Sequence, residues 1–344
     1  MTSENLGSEL RQDPVTEKWV VIASGRAKRP SDFKRSKDKK PKLPKYVDDC
    51  PFCNLKKYPQ APDTLILPNE KDWRVRSFPN KFPAFVQSDK IRDRKVGLYR
   101  VMDGVGFHEV VIPKDHDGDL SRAKKEDAIL YIKALLERYR ELANEKAVNY
   151  IQIIQNHGRE AGGSVEHPHS QIFAIPILPT DEVLDLFLGA ERYFKKHQSC
   201  AYCDIIEYEK KEKIRVVYEN EKFIVICPFT PREPYEQWVL PKEHSEGFEK
   251  LSDDDIPLFV DATQTALKAL HKGFNDPPYN IYFYSPPCDD MGSIYPKDEF
   301  SHFHWHAQIL PRLNVWGGFE IATGVEISVA IPEEAAAYLR SKIN

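Results

Sequence analysis

HPHSQIFAIP, residues 167–176, and HWHAQILPR, residues 304–312, share one pattern: two histidines flanking a single residue, then a glutamine two places on, then an apolar run. A spacing of two in an extended backbone puts both imidazoles of each pair on one face. Upstream of each pattern the chain repeats a longer plan. CPFC at 50–53 and CAYC at 200–203 lie 150 positions apart. After the first come WRVRSFPNKFPAF and HEVVIPKDH, ending at His116. After the second come RVVYENEKFIVICPF and EQWVLPKEH, ending at His244.

A long amphipathic segment follows in both halves. SRAKKEDAILYIKALLERYREL carries Ile129, Ile132, Leu135, Leu136, Tyr139 and Leu142 at helical spacing. SDDDIPLFVDATQTALKALHKGF opens with Ser252 as an N-cap, with Asp255 three residues later and Pro257 tolerable only in the first turns. A strand follows, YIQIIQN or YNIYFYS, and then the histidine pair. The chain therefore reads as an internal duplication. LPTDEVLDLFLGAERYFKKHQS, 178–199, reads as a connecting helix, so we expect two domains, 1–178 and 179–344. Strands joined by short turns with one long helix per half predict an α+β class, with two mainly antiparallel sheets each carrying a long helix.

At 344 residues the chain is long enough for two ordinary domains. Hydrophobic residues at 41%, charged residues at 30% and a net charge of −4 describe a soluble globular protein with no overall field for nucleic acid. The start lacks signal-peptide features, and no stretch is apolar enough to span a membrane, so we expect a cytoplasmic protein without a membrane partner. The basic stretch SGRAKRPSDFKRSKDKKPKLPK, 24–45, has one aromatic, Phe33, and reads as a solvated loop rather than a nucleic-acid surface.

CxxC pairs in a reducing compartment point to metal binding or redox chemistry, and neither pair sits in the βαβ context of a redox dithiol. Cys50, Cys53, His116 and His167 form one candidate zinc set; Cys200, Cys203, His244 and His304 form a second, with His302 and His306 as nearby alternatives. His108 competes with His116 for the distal position, and the match of PKDH to PKEH favours His116. Cys227 and Cys288 read as ordinary small apolar residues.

His169 is the candidate nucleophile. A neutral imidazole attacks phosphorus, and the phosphoramidate formed can pass the group on, which predicts ping-pong kinetics. Its other nitrogen needs an acceptor, such as a backbone carbonyl, to fix the tautomer. Gln171 can donate to a phosphoryl oxygen without supplying a proton, which favours transfer over hydrolysis. QNHGREAGGSVEH, 155–167, supplies Asn156, Gly162 and Ser164 in a glycine-rich turn suited to phosphate.

With CPFC, the arrangement from Asn156 to Gln171 and GGFEIATG at 317–324, the chain resembles the galactose-1-phosphate uridylyltransferase family of the histidine-triad superfamily. The resemblance runs from about Arg11 to the last helix. It implies exchange of a uridylyl group between UDP-glucose and galactose 1-phosphate by way of His169, with Gln171 holding a phosphoryl oxygen. It also implies phosphate-facing roles for Arg26 and Arg29, a uridine-side Asn80, and a hexose-recognising stretch of Gly317, Gly318, Phe319 and Glu320 that reaches the partner of a homodimer. The family's zinc pattern falls on Cys50, Cys53, His116 and His167. Lys81 replaces the aspartate that some members carry beside the uridine-side asparagine, and relatives with similar motifs transfer adenylyl groups from ADP-glucose to phosphate. A reading of another class, a zinc-stabilised nucleotide-binding module without catalysis, leaves the pairing of His169 with Gln171 without a purpose.

Overall fold

The computed structural model describes residues 7–343 apart from 27, 34–42, 89, 180–181, 289–299 and 301, so the middle of the basic stretch lies outside the described residues. Its centre is one sheet of ten strands rather than the two sheets expected. The first half supplies β3 (Leu65–Leu67), β4 (Val75–Pro79), β7 (Phe107–Pro113), β8 (Tyr150–His157) and β9 (Ser170–Ile175). The second supplies β10 (Val216–Glu219), β11 (Phe223–Ile226), β12 (Gln237–Pro241), β13 (Tyr279–Tyr284) and β14 (His306–Pro311). Outward from the middle the orders are β8-β9-β7-β4-β3 and β13-β14-β12-β11-β10, the same permutation of matching strands. The halves join because β8 and β13 pair antiparallel, with Asn156 opposite Asn280. That pairing removes two open edges, which otherwise invite association.

Side chains alternate across the sheet. In β9, Ile172 and Ala174 enter the main core, together with Val225 and Val239 of the second half. This core is closed by α1 (Lys125–Leu142), α4 (Ile256–Phe274) and α6 (Pro332–Ile343). The predicted stripe on α1 is buried at Ile132, Leu135, Leu136, Tyr139 and Leu142. Pro257 falls in the first turn of α4, where no donor is missed. Ser252 closes the turn before that helix: its Oγ donates to Asp255 Oδ2 at 2.8 Å and accepts from the Asp255 amide at 3.2 Å.

The opposite face is dressed differently in the two halves. Over the second lie α2 (Glu182–His197), the expected connecting helix, and α3 (Ala201–Glu212), burying Ile224, Ile226, Trp238 and Leu240. Over the first lies the CPFC turn, which packs Cys50 and Phe52 on Phe78, Val110 and Ile112. His169, Gln171 and Phe173 belong to this face of β9 by alternation from Ile172. A small sheet of β1 (Glu9–Gln12), β2 (Trp19–Ile22) and β15 (Ile327–Ser328) lies apart from the ten strands, β5 (Asp93–Val96) and β6 (Tyr99–Met102) form a hairpin, and α5 covers Gly318–Thr323.

Beneath the sheet, Arg138 of α1 forks onto Glu109 of β7 through Nη2–Oε1 at 2.7 Å and Nε–Oε2 at 2.8 Å, and Ser77 and Thr64 hydroxyls also donate to Glu109 Oε2. Both partners are buried, so removing one leaves an uncompensated charge. We expect Arg138→Met to cost about 3–5 kcal/mol in urea unfolding, and Arg138→Met with Glu109→Leu to recover most of that loss. A double variant no more stable than the single would contradict the pairing.

Candidate active site and metal centres

The eight metal-ligand candidates gather into the two sets expected, each with its four donor atoms within 4.8 Å of one another. In the first, Cys53 Sγ lies 3.4 Å from His116 Nδ1 and 3.3 Å from His167 Nδ1, and Cys50 Sγ lies 3.7 Å from His167 Nδ1. Tetrahedral zinc with ordinary Zn–S and Zn–N bonds sets sulfur and nitrogen about 3.5 Å apart. In the second, Cys203 Sγ lies 3.5 Å from both His244 Nδ1 and His304 Nδ1, and Cys200 Sγ lies 4.0 Å from His304 Nδ1. His302 stacks on Phe194 instead, and His306 is fully buried elsewhere.

The donor chemistry suits a cation. Without one, burial pushes the Cys53 thiol up to about 11 and the His167 imidazole down to about 4. The imidazole is then ready to ligate, and the thiolate needs a positive partner. Zinc fits both donor sets. Four protein ligands close each site, so the metal would tie segments together and activate no water. The far nitrogen of each strand histidine is also used: His167 Nε2 donates to Pro113 O at 2.8 Å and His304 Nε2 to Pro241 O at 2.9 Å. Such outer partners fix the ring and leave Nδ1 for the metal.

His169 follows from this arrangement. Its Nδ1 donates to the carbonyl of His167 at 2.9 Å, which leaves the Nε2 lone pair free. Burial lowers its basicity, so the ring is neutral. Phe52, carried between the two cysteines of CPFC, sets its ring against both His167 and His169, with centroids 5.9 and 5.3 Å away. Gln171 Oε1 is held at 2.9 Å by His108 Nε2, and Asn80 Nδ2 lies 3.1 Å from that same ring nitrogen. Neither Phe52 nor a partnership between His108 and Gln171 was expected from sequence. The register of β7 against β9, Val110 opposite Gln171 and His108 opposite Phe173, was the missing information.

The glycine-rich turn is built as a cradle. Gly158 and Gly162 have φ of 84° and 85°, in the left-handed region, and a Cβ on Gly163 would stand 2.9 Å from Gly158 O. Asn156 Oδ1 accepts from Asn280 Nδ2 at 2.8 Å, and the same nitrogen donates to Ala161 O at 2.7 Å. Asn280, from the other half, thus braces the loop; sequence reading missed it for want of the β8–β13 register. Ser164, Arg26 and Arg29 are exposed, and neither guanidinium has a hydrogen-bond or ion-pair partner among the described residues. Gly317, Gly318 and Phe319 are exposed at the start of α5, and Glu320 closes that start by accepting from the Gly317 amide at 2.9 Å. No hydrogen bond or ion pair joins them to His169 among the described residues. A cavity of about 620 Å³ lies at the other flank of the histidine strand, against Pro168, Gln155 and Tyr131, and does not include His169.

Similarity to known proteins extends over nearly the whole chain. The family model for the N-terminal domain of galactose-1-phosphate uridyl transferase matches residues 1–179, and a model described as scavenger mRNA decapping enzyme C-term binding matches residues 199–313. The chain belongs to the galactose-1-phosphate uridyl transferase family, within the histidine-triad superfamily. It is 35% identical to an ADP-glucose phosphorylase of Arabidopsis thaliana, over 98% of this chain and 93% of the relative. It is 29% identical to a galactose-1-phosphate uridylyltransferase of Thermotoga maritima, over 96% and 98%. An Arabidopsis thaliana ADP-glucose phosphorylase solved with bound ADP-glucose superposes with a TM-score of 0.79 at 31% identity, covering 97% of this chain and 98% of that one. A uridylyltransferase structure superposes with a TM-score of 0.73 at 25% identity, with the same coverage.

Metal analysis of the purified protein should find two zinc ions per chain, and one in Cys53→Ser. One ion in the unaltered protein would remove the second site from the account.

Proposed function

We propose that the chain is a nucleotidyltransferase that exchanges a uridylyl group between UDP-glucose and galactose 1-phosphate by ping-pong transfer through His169. The observation that carries this reading is the free Nε2 of His169, its tautomer set by the His167 carbonyl 2.9 Å away. Nε2 attacks the α-phosphorus of UDP-glucose, the bond to the β-phosphate oxygen breaks, and glucose 1-phosphate leaves. A phosphate oxygen of galactose 1-phosphate then attacks the uridylyl-histidine, the P–N bond breaks, and UDP-galactose leaves. Gln171 stabilises the non-bridging oxygens in both halves of the cycle.

Asn156, Gly162 and Ser164 form the phosphate loop, with Arg26 and Arg29 closing over the charge and Asn80 on the nucleobase side. The stretch Gly317–Glu320 suits hexose recognition completed across a homodimer, since Gly317, Gly318 and Phe319 are exposed to solvent in the single chain. In this reading residues 1–178 and 179–344 are two histidine-triad-like domains of a cytoplasmic protein, and zinc keeps the histidine strand in place.

A second reading keeps His169 and changes the substrates: an adenylyl group moves from ADP-glucose to phosphate. The specific observation in its favour is the 35% identity to the Arabidopsis ADP-glucose phosphorylase, above the 29% to the Thermotoga uridylyltransferase.

Intact-mass spectrometry after mixing with a single nucleotide sugar separates the readings. UDP-glucose alone should give a stoichiometric uridylyl adduct that galactose 1-phosphate removes, and His169→Asn should give none. An adduct with ADP-glucose only, discharged by phosphate, would establish the second reading. No adduct with either would leave a binding module.

A further inference from the structure

The two halves hold the same histidine–glutamine pair in opposite arrangements. In the second half, His306 Nδ1 donates to His304 O at 3.0 Å, as His169 does to His167 O. Its Nε2 lone pair, however, is filled: Gln308 Nε2 donates to it at 3.0 Å. Gln308 is held in that pose by Arg232, whose Nη2 donates to Gln308 Oε1 at 2.6 Å. In the first half the glutamine carbonyl is held instead by His108. Gln171 Nε2 makes no hydrogen bond in the described structure, and neither does His169 Nε2.

His108 can hold Gln171 in only one sense. The Ala84 amide, which can only donate, meets His108 Nδ1 at 3.1 Å. Nδ1 is therefore the acceptor and Nε2 carries the proton. That proton goes to Gln171 Oε1 at 2.9 Å; a reversed amide would set two donors face to face. Asn80 Oδ1 accepts from the Phe82 amide, so its Nδ2, 3.1 Å from His108 Nε2, is a second donor there. It makes no hydrogen bond to the protonated ring nitrogen, and Gln171 Oε1 is the acceptor of that proton. His108 is buried and stacks on Phe173 at 4.1 Å between centroids, so its ring does not turn.

We propose that His108 is a positioning residue that holds Gln171 by its carbonyl, keeping the amide off His169 Nε2 and aimed at the phosphoryl group. Freed of it, Gln171 would donate into His169 as Gln308 donates into His306, and the nucleophile would be quenched by its own partner. Glu236 stands where His108 would in the repeat, and it accepts from Trp238 Nε1 at 2.7 Å instead of donating to the glutamine. The inference rests on the reading of His169 as nucleophile.

The test is a double-mutant cycle on the single-turnover rate of adduct formation, by rapid quench and intact mass, using whichever of UDP-glucose or ADP-glucose charges the unaltered protein. His108→Ala should slow charging by about tenfold or more, with nucleotide-sugar affinity and zinc content little changed, since an interaction made in the transition state is lost. His108→Gln, which keeps a donor to Gln171 Oε1, should restore part of the rate. In a Gln171→Ala background, His108→Ala should add less than about a twofold effect, because the two residues act as one unit. Equal slowing by His108→Ala with and without Gln171 would assign it a structural role and overturn the inference, as would charging at the unaltered rate. An unaltered protein that takes up neither nucleotide overturns the His169 reading itself.

Discussion

The structure turns on one backbone carbonyl, that of His167. Its residue is gripped on both ring nitrogens: Nδ1 faces the two thiols of the first zinc set, and Nε2 donates to Pro113 O. A ring fixed at both ends fixes the backbone that carries it. The carbonyl of that backbone then takes the Nδ1 proton of His169 and determines which lone pair faces outward. A histidine so neutral and so oriented needs no base of its own to become a nucleophile. A metal held by this set would act at a distance of two residues, by fixing the backbone rather than by placing charge on a substrate.

Duplication explains why the chain has this device twice, with the nitrogen Nε2 free in one copy and filled in the other. The second copy repeats the zinc set, the proline carbonyl and the histidine-to-carbonyl bond. What differs is its cover. α2 and α3 lie over that face, and His306 sits with Tyr202, Trp238 and Tyr284 rings 4.8 to 5.5 Å away, none of its surface exposed, while His169 keeps 6%. Burial pushes His306 down to about 3. The second half supports the first: it pairs β13 with β8 and lends Asn280 to the glycine-rich loop after β8.

Much of this was legible in the sequence. The repeated order of CxxC, distal histidine, helix and histidine strand pointed to the eight side chains that the structure gathers into two clusters, with His302 and His306 left open as alternatives in the second; His116, preferred to His108, lies in the first cluster. The α1 stripe was legible from its period. The single sheet was not, because nothing in a strand's own pattern says which edge it pairs with. The same gap hid Asn280, Phe52 and the role of His108. Each acts across a register or a turn, and local sequence carries no trace of its partner.

The most direct test of the account is the tautomer of His169, read from nitrogen-15 imidazole spectra of histidine-labelled protein and assigned with His169→Asn. The account predicts a neutral ring protonated at Nδ1 in the zinc-loaded protein, giving way to a mixture when a chelator strips the first site. A ring protonated at Nε2, or an Nδ1 tautomer untouched by removal of the metal, would contradict it.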